Sequence, residues 1–168
     1  SVVASHFSWM KDPAPVVGLC RARLGKAGVP EGFASAPDDK TAKVVAADLK
    51  KAIALDAAYG PAQVELARAL LVLGKADEAL AAARKGTELS PADPEAYSAL
   101  GVALLATGDA EKAVASFKRS AELAPGDFGR QLNLGTALLA SGKPKEAQPA
   151  FEMAVRIAPA DARAENGL

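Results

Sequence analysis

From Gly60 to Asp161 the apolar and small residues fall into columns 34 residues apart. Leu66, Leu100 and Leu134 form one column, and Gly74, Gly108 and Gly142 a second. Ala79, Ala113 and Ala147 form a third, and Pro91, Pro125 and Pro159 a fourth, with no insertion between copies. Within a copy the spacing is helical: Tyr97, Leu100, Gly101 and Leu104 recur at i, i+3, i+4 and i+7, the rhythm of one helix face. Thr107-Gly108-Asp109 interrupts it, with glycine as a helix stop and aspartate as the next cap. Ala113, Phe117, Ser120 and Leu123 then mark the face of a second helix, which Pro125-Gly126 ends. Asp93 before Pro94 supplies an N-cap followed by a proline suited to the first turn. Each copy therefore reads as two antiparallel helices joined by a tight turn. A fixed period of this length is one supersecondary unit stacked on itself.

The small residues have a packing role in this reading. Ala67, Gly101 and Gly135 stand where the two helix axes of a copy approach, faced by Ala79, Ala113 and Ala147, while Leu70, Leu104 and Leu138 fill the remaining space. A larger side chain at such a position overpacks and costs about 1–3 kcal/mol. Pro149 falls inside the last second helix and is expected to bend it or delay its start.

The three clean copies are 60–93, 94–127 and 128–161, followed by a tail or truncated cap helix at 162–168. Residues 1–59 do not repeat cleanly. Leu24-Gly25-Lys26-Ala27 echoes Leu73-Gly74-Lys75-Ala76, so Asp12-Pro13 caps a helix running to about Leu24. Ala46, Leu49, Ala52 and Leu55 show helical spacing, and the Gly-, Pro- and Ser-containing stretch at 28–39 reads as a loop insertion. Two readings stand: a degenerate, interrupted helix pair, or an unrelated N-terminal helix capping a half repeat that starts near Asp38. Ser1 to Met10, with His6, Phe7 and Trp9, has no repeat partner.

Composition narrows the function classes. Lys plus Arg and Asp plus Glu both number 20, for a formal net charge of +0, and both signs are mixed along the length. No segment is a basic stripe, so nucleic acid and anionic membranes are not indicated as partners. The longest apolar runs, such as Ala69 to Leu73, are too short to insert across a bilayer. One cysteine, Cys20, leaves no internal disulfide; it aligns with Ala69, Ala103 and Ala137, the place of a small core residue rather than a nucleophile. His6 is the only histidine, and no zinc spacing, phosphate-binding glycine loop or nucleophile elbow accompanies it. The expectation is a soluble, non-enzymatic chain without cofactor or metal, cytoplasmic or periplasmic.

Tyr97, Leu100, Gly101, Leu104, Gly108, Ala113, Phe117 and Pro125, with Leu134, Gly135, Leu138, Gly142, Ala147, Phe151, Ala154 and Pro159, are the residues by which the chain resembles the tetratricopeptide repeat (TPR) family. The first clean copy departs from that pattern at Gln63, Ala67 and Ala83. The resemblance implies an all-α fold: a right-handed superhelical array of antiparallel helix pairs, a TPR-type α-solenoid. It also implies a concave face that binds extended or helical peptides.

On the first helix of each copy, a second face lies about 100° from the packing face. Val64, Arg68 and Leu71 fall there, then Ser98, Val102 and Leu105, then Leu132, Thr136 and Leu139, with Asn133 in a neighbouring column. These ten residues are the candidate groove, mostly apolar with Arg68 its one charge. The Lys and Asn pattern by which some members of the family clamp a terminal carboxylate is missing, so a hydrophobic or amphipathic segment of a partner protein is the expected ligand. Three functions compete: an adaptor or scaffold that holds a peptide, the recruitment region of a larger enzyme, and a self-associating scaffold whose apolar leader enters the groove of the next copy. The array also lacks a polar end cap after Asp161, which points to a fragment of a longer protein or an end-to-end contact.

Overall fold

The computed structural model describes residues 13–24 and 39–158, and the regular structure among them is entirely helical. The leader, Asp12, most of the 28–39 insertion and the tail after Ala158 lie outside the described residues. The chain divides into two compact units, residues 1–91 and 92–168.

In the first unit, α1 (Ala14–Leu24) packs against α2 (Asp39–Leu55) and against α3 (Gly60–Val72), which pairs with α4 (Ala76–Leu89). Helix α2 begins at Asp39, the last residue assigned to the loop insertion from the sequence, and well before Ala46. Its buried face, Ala42, Val45, Ala46, Leu49 and Ala52, keeps helical spacing back into that first turn, where the Asp39 carboxylate also suits the helix N-terminus. Val16, Val17 and Cys20 of α1 are buried, so Cys20 is a core residue.

The second unit contains α5 (Pro94–Ala106), α6 (Ala110–Leu123), α7 (Phe128–Ala140) and α8 (Pro144–Ile157), each packed on the next. Helix starts follow from local chemistry. Asp93 accepts a hydrogen bond from the Glu95 N–H at 2.9 Å, and Asp109 one from the Lys112 N–H at 3.1 Å, satisfying donors that a helix end leaves open. Helix ends are equally specific. Gly74, Gly108 and Gly142 have φ of +69°, +86° and +74°. At each, the chain closes with a pair of reversed hydrogen bonds, as in Gly108 N to Leu105 O at 3.0 Å and Asp109 N to Leu104 O at 2.8 Å. This is a Schellman motif, and its left-handed residue is least costly as glycine.

The helices of a pair meet at the small residues. A Cβ on Gly101 would lie 2.7 Å from the Phe117 ring, and one on Gly135 would lie 2.6 Å from the Phe151 ring. Both phenylalanines are buried, each contributing about 1.5–3 kcal/mol by leaving water. The α3–α4 pair solves the same contact with two small residues, Ala67 and Ala83, at the equivalent positions. Pro149 sits on an exposed face of α8, which still starts at Pro144; the expected delay in its start is not seen. Proline at the first helical position and burial of Ala147, Ala150, Phe151 and Ala154 hold the helix through the missing N–H.

Candidate functional site

The ten groove candidates separate into packing residues and accessible ones. Val64 has 0% exposure, because Gly86 of α4 lies directly against it: a Cβ on Gly86 would come within 2.8 Å of Val64 Cγ2. One period on, Ser98 Oγ is 2.8 Å from Ser120 Oγ of α6. Another period on, Leu132 packs on the cluster of Leu138, Ala147 and Phe151. This column therefore turns toward the second helix of its own pair. The packing stripe of each first helix is wider than a single face, and the sequence-based groove was drawn one column too far into it.

Arg68 is also corrected. It is buried, and its Nη1 donates to Glu65 Oε1 at 3.2 Å, an oxygen that accepts Arg21 Nε of α1 at 2.6 Å as well. Glu65 is 0% exposed. Arg68 is thus half of a buried ion pair within α3, whose Glu65 also receives Arg21 from α1, rather than a charge offered to a ligand. Glu65 is the member least easily lost, because its carboxylate is fully buried and serves both guanidinium groups.

The remaining candidates are reachable from solvent. Leu71 of α3 is half-buried. In the second unit, Val102 and Leu105 of α5 and Asn133 of α7 are half-buried, and Thr136 and Leu139 are exposed, Leu139 at 49%. The Thr136 hydroxyl donates to Leu132 O at 2.9 Å, so its polar group is bound to its own helix. Val102 and Leu105 are separated by one turn, as are Thr136 and Leu139, so each helix presents a short apolar strip flanked by a carboxamide on α7.

The first turns of α5 and α7 are joined by a side chain that the sequence reading did not single out. Arg130, at the start of α7, is 8% exposed. Its Nη1 donates to Pro94 O at 3.2 Å, Ser98 Oγ at 2.9 Å and Ser120 Oγ at 2.9 Å. Its Nη2 donates to Glu95 Oε1 at 2.7 Å, and its Nε lies 3.4 Å from Asp127 Oδ2. The Ser120 hydroxyl is itself 2.8 Å from Pro94 O. One guanidinium therefore joins the starts of α5 and α7 to the last turn of α6. The signal was present in the columns: Arg130 stands where the other copies have Ala62 and Ala96, and Ser120 where they have Gly86 and Ala154.

Among the described residues no group of three or more His, Cys, Asp or Glu side chains converges as metal ligands would. No described helix is long and apolar enough to cross a membrane.

Antiparallel helix pairs at a constant period, closed by glycine turns, define a helical-repeat protein. Tetratricopeptide repeat models match residues 64–128 and 104–168. The chain belongs to the tetratricopeptide repeat family, a fold that serves as a scaffold for protein–protein interaction. Comparison with curated proteins gives no match. Among solved structures, a thermophilic TPR protein of Thermus thermophilus superposes with a TM-score of 0.74 at 19% identity, over 92% of this chain and 78% of that one. MamA from Desulfovibrio magneticus, from its residue 41 to the end, gives 0.69 at 19% identity over 90% and 78%. A further MamA crystal structure gives 0.70 at 21% identity over 76% and 75%. At these identities the likeness is one of fold.

Proposed function

We propose that the chain is a non-enzymatic interaction module that holds an apolar or amphipathic segment of a partner protein, and that α5 and α7 form the binding face. The observation that carries this is Leu139, exposed at 49% on a helix whose other leucines are at least half-buried. It shares the second unit with the half-buried Val102 and Leu105. Apolar side chains grouped on a surface favour a contact that removes them from water. Asn133 adds a carboxamide able to pair with a ligand backbone, and Thr136 a methyl group. The binding set is therefore Val102, Leu105, Asn133, Thr136 and Leu139, with Leu71 a separate apolar position on the first unit. An apolar strip with one amide fits the helix-in-groove or extended-peptide modes of recognition.

The test is selection from a displayed library of random peptides against the whole chain, followed by binding measurements with Leu105→Asp and Leu139→Asp. Both variants should keep wild-type helicity by circular dichroism. The selected peptides are expected to be rich in apolar residues and to bind each variant at least tenfold more weakly. Selected peptides that bind wild type and both variants alike contradict the assignment.

A further inference from the structure

Arg130 and its acceptors each occur once in three registers. The side-chain acceptors on the α5–α6 pair are Glu95, Ser98 and Ser120. One period earlier the same positions hold Pro61, Val64 and Gly86; one period later they hold Gly129, Leu132 and Ala154. The donor position reads Ala62, Ala96 and Arg130. Other packing columns do not distinguish the copies: Leu66, Leu100 and Leu134 form one, and Ala79, Ala113 and Ala147 another.

That combination raises a problem of order. Helix α7 must seat on α5–α6, although α3–α4 repeats the same leucine and alanine columns. Hydrophobic contact alone is non-directional and offers little discrimination between the two. A guanidinium does discriminate. It stays charged and carries five donors, so burial without acceptors is strongly unfavourable. On α3–α4 the equivalent site is filled by Val64 against Gly86, which provides no side-chain acceptor and little room. On α5–α6 it is a ready cradle, with the two serine hydroxyls 2.8 Å apart and Glu95 beside them.

We propose that Arg130 is a stacking key. It directs the α7–α8 pair onto α5–α6 and rejects the apolar surface of α3–α4, in the same chain or in a second copy. The order of the array is thus written in one buried charge, as a single polar residue fixes register in coiled coils.

The test uses three variants of the full chain. Ser98→Val with Ser120→Ala converts the cradle to the apolar type while Arg130 remains. Arg130→Ala removes the key. The triple variant does both, making this contact resemble its apolar counterparts. Hydrogen exchange is read separately on the amides of α5–α6 and α7–α8, and molecular mass is read after refolding at high concentration. The cradle variant is expected to lose about a hundredfold in protection on α7–α8, because two hydrogen bonds to a charged group are removed, while α5–α6 keeps its protection. The triple variant is expected to recover to within about tenfold of wild type, yet to refold into mixed monomeric and associated species. If the cradle variant does not fold, folding of the triple variant still supports the key. Unchanged protection in the cradle variant, a triple variant as poorly protected as the cradle variant, or a triple variant that refolds to a single monomeric species would each overturn the proposal.

Discussion

Replacing Gly101 by alanine should destabilise the protein, and the same replacement should stabilise it once Phe117 is alanine. The new Cβ would lie 2.7–2.8 Å from three carbons of the Phe117 ring. That ring is 1% exposed, so it cannot swing into solvent to make room. Overpacking of this kind costs about 1–3 kcal/mol, and the gain in helix propensity from glycine to alanine returns about 1 kcal/mol. The net loss is about 0–2 kcal/mol. Phe117→Ala alone leaves a cavity beside Gly101 and costs about 3–5 kcal/mol. In that background the added methyl meets no ring, and only the favourable propensity change of about 1 kcal/mol remains. The coupling between the two sites is therefore about 1–3 kcal/mol, within the range for residues in direct contact. The first copy already carries the double replacement as Ala67 and Ala83, both fully buried. The assay is urea denaturation of the four members of the cycle, followed by circular dichroism. Hydrogen exchange on α5 and α6 accompanies it, because repeat arrays need not unfold in one step. Equal effects of Gly101→Ala in both backgrounds, within about 0.5 kcal/mol, would refute the claim that the ring and the glycine share one space.

Other consequences follow from the same contacts. Asp93→Ala removes the cap on α5 and should cost about 1 kcal/mol in thermal or urea denaturation, whereas Asp93→Asn should be nearly neutral. Gly108→Ala places a side chain at φ +86° and should cost about 1–2 kcal/mol, although the site has open space around it; a neutral result would contradict the left-handed turn. Pro149→Ala restores a hydrogen bond on an exposed helix face and should raise stability by up to about 3 kcal/mol, read as a higher urea midpoint. Glu65→Ala removes the buried carboxylate shared by Arg68 and the half-exposed Arg21 and should cost about 3–5 kcal/mol, read as a lower urea midpoint.

The repeat period made most of the helices legible before any coordinates. Constant columns such as Gly74, Gly108 and Gly142 act through local backbone geometry, which a sequence displays directly. The start of α2 at Asp39 agrees with the half-repeat reading from near Asp38 and not with a loop extending to 39, and its pairing with α1 and α3 is tertiary. The binding face was only partly legible. Helical periodicity places Val64, Ser98 and Leu132 on a face adjoining the packing stripe, but it does not tell how far the second helix wraps around that stripe. Val64 is closed off by Gly86, a residue 22 positions away whose missing side chain lets the backbones approach. Arg68 reads as the one charge of the groove until it is seen to be buried against Glu65, which also receives Arg21. Arg130 carried its signal in a break of the columns, Ala62 and Ala96 giving way to arginine, together with Ser98 and Ser120.

The most direct test of the interaction function is to map a selected peptide on the isotope-labelled chain by amide chemical shifts, with Leu55→Asp as a control for an exposed leucine on the other unit. The account predicts shifts concentrated at Val102, Leu105, Asn133, Thr136 and Leu139, unchanged by Leu55→Asp and abolished by Leu105→Asp. Shifts centred on the outward faces of α6 and α8, with α5 and α7 unaffected, would contradict it.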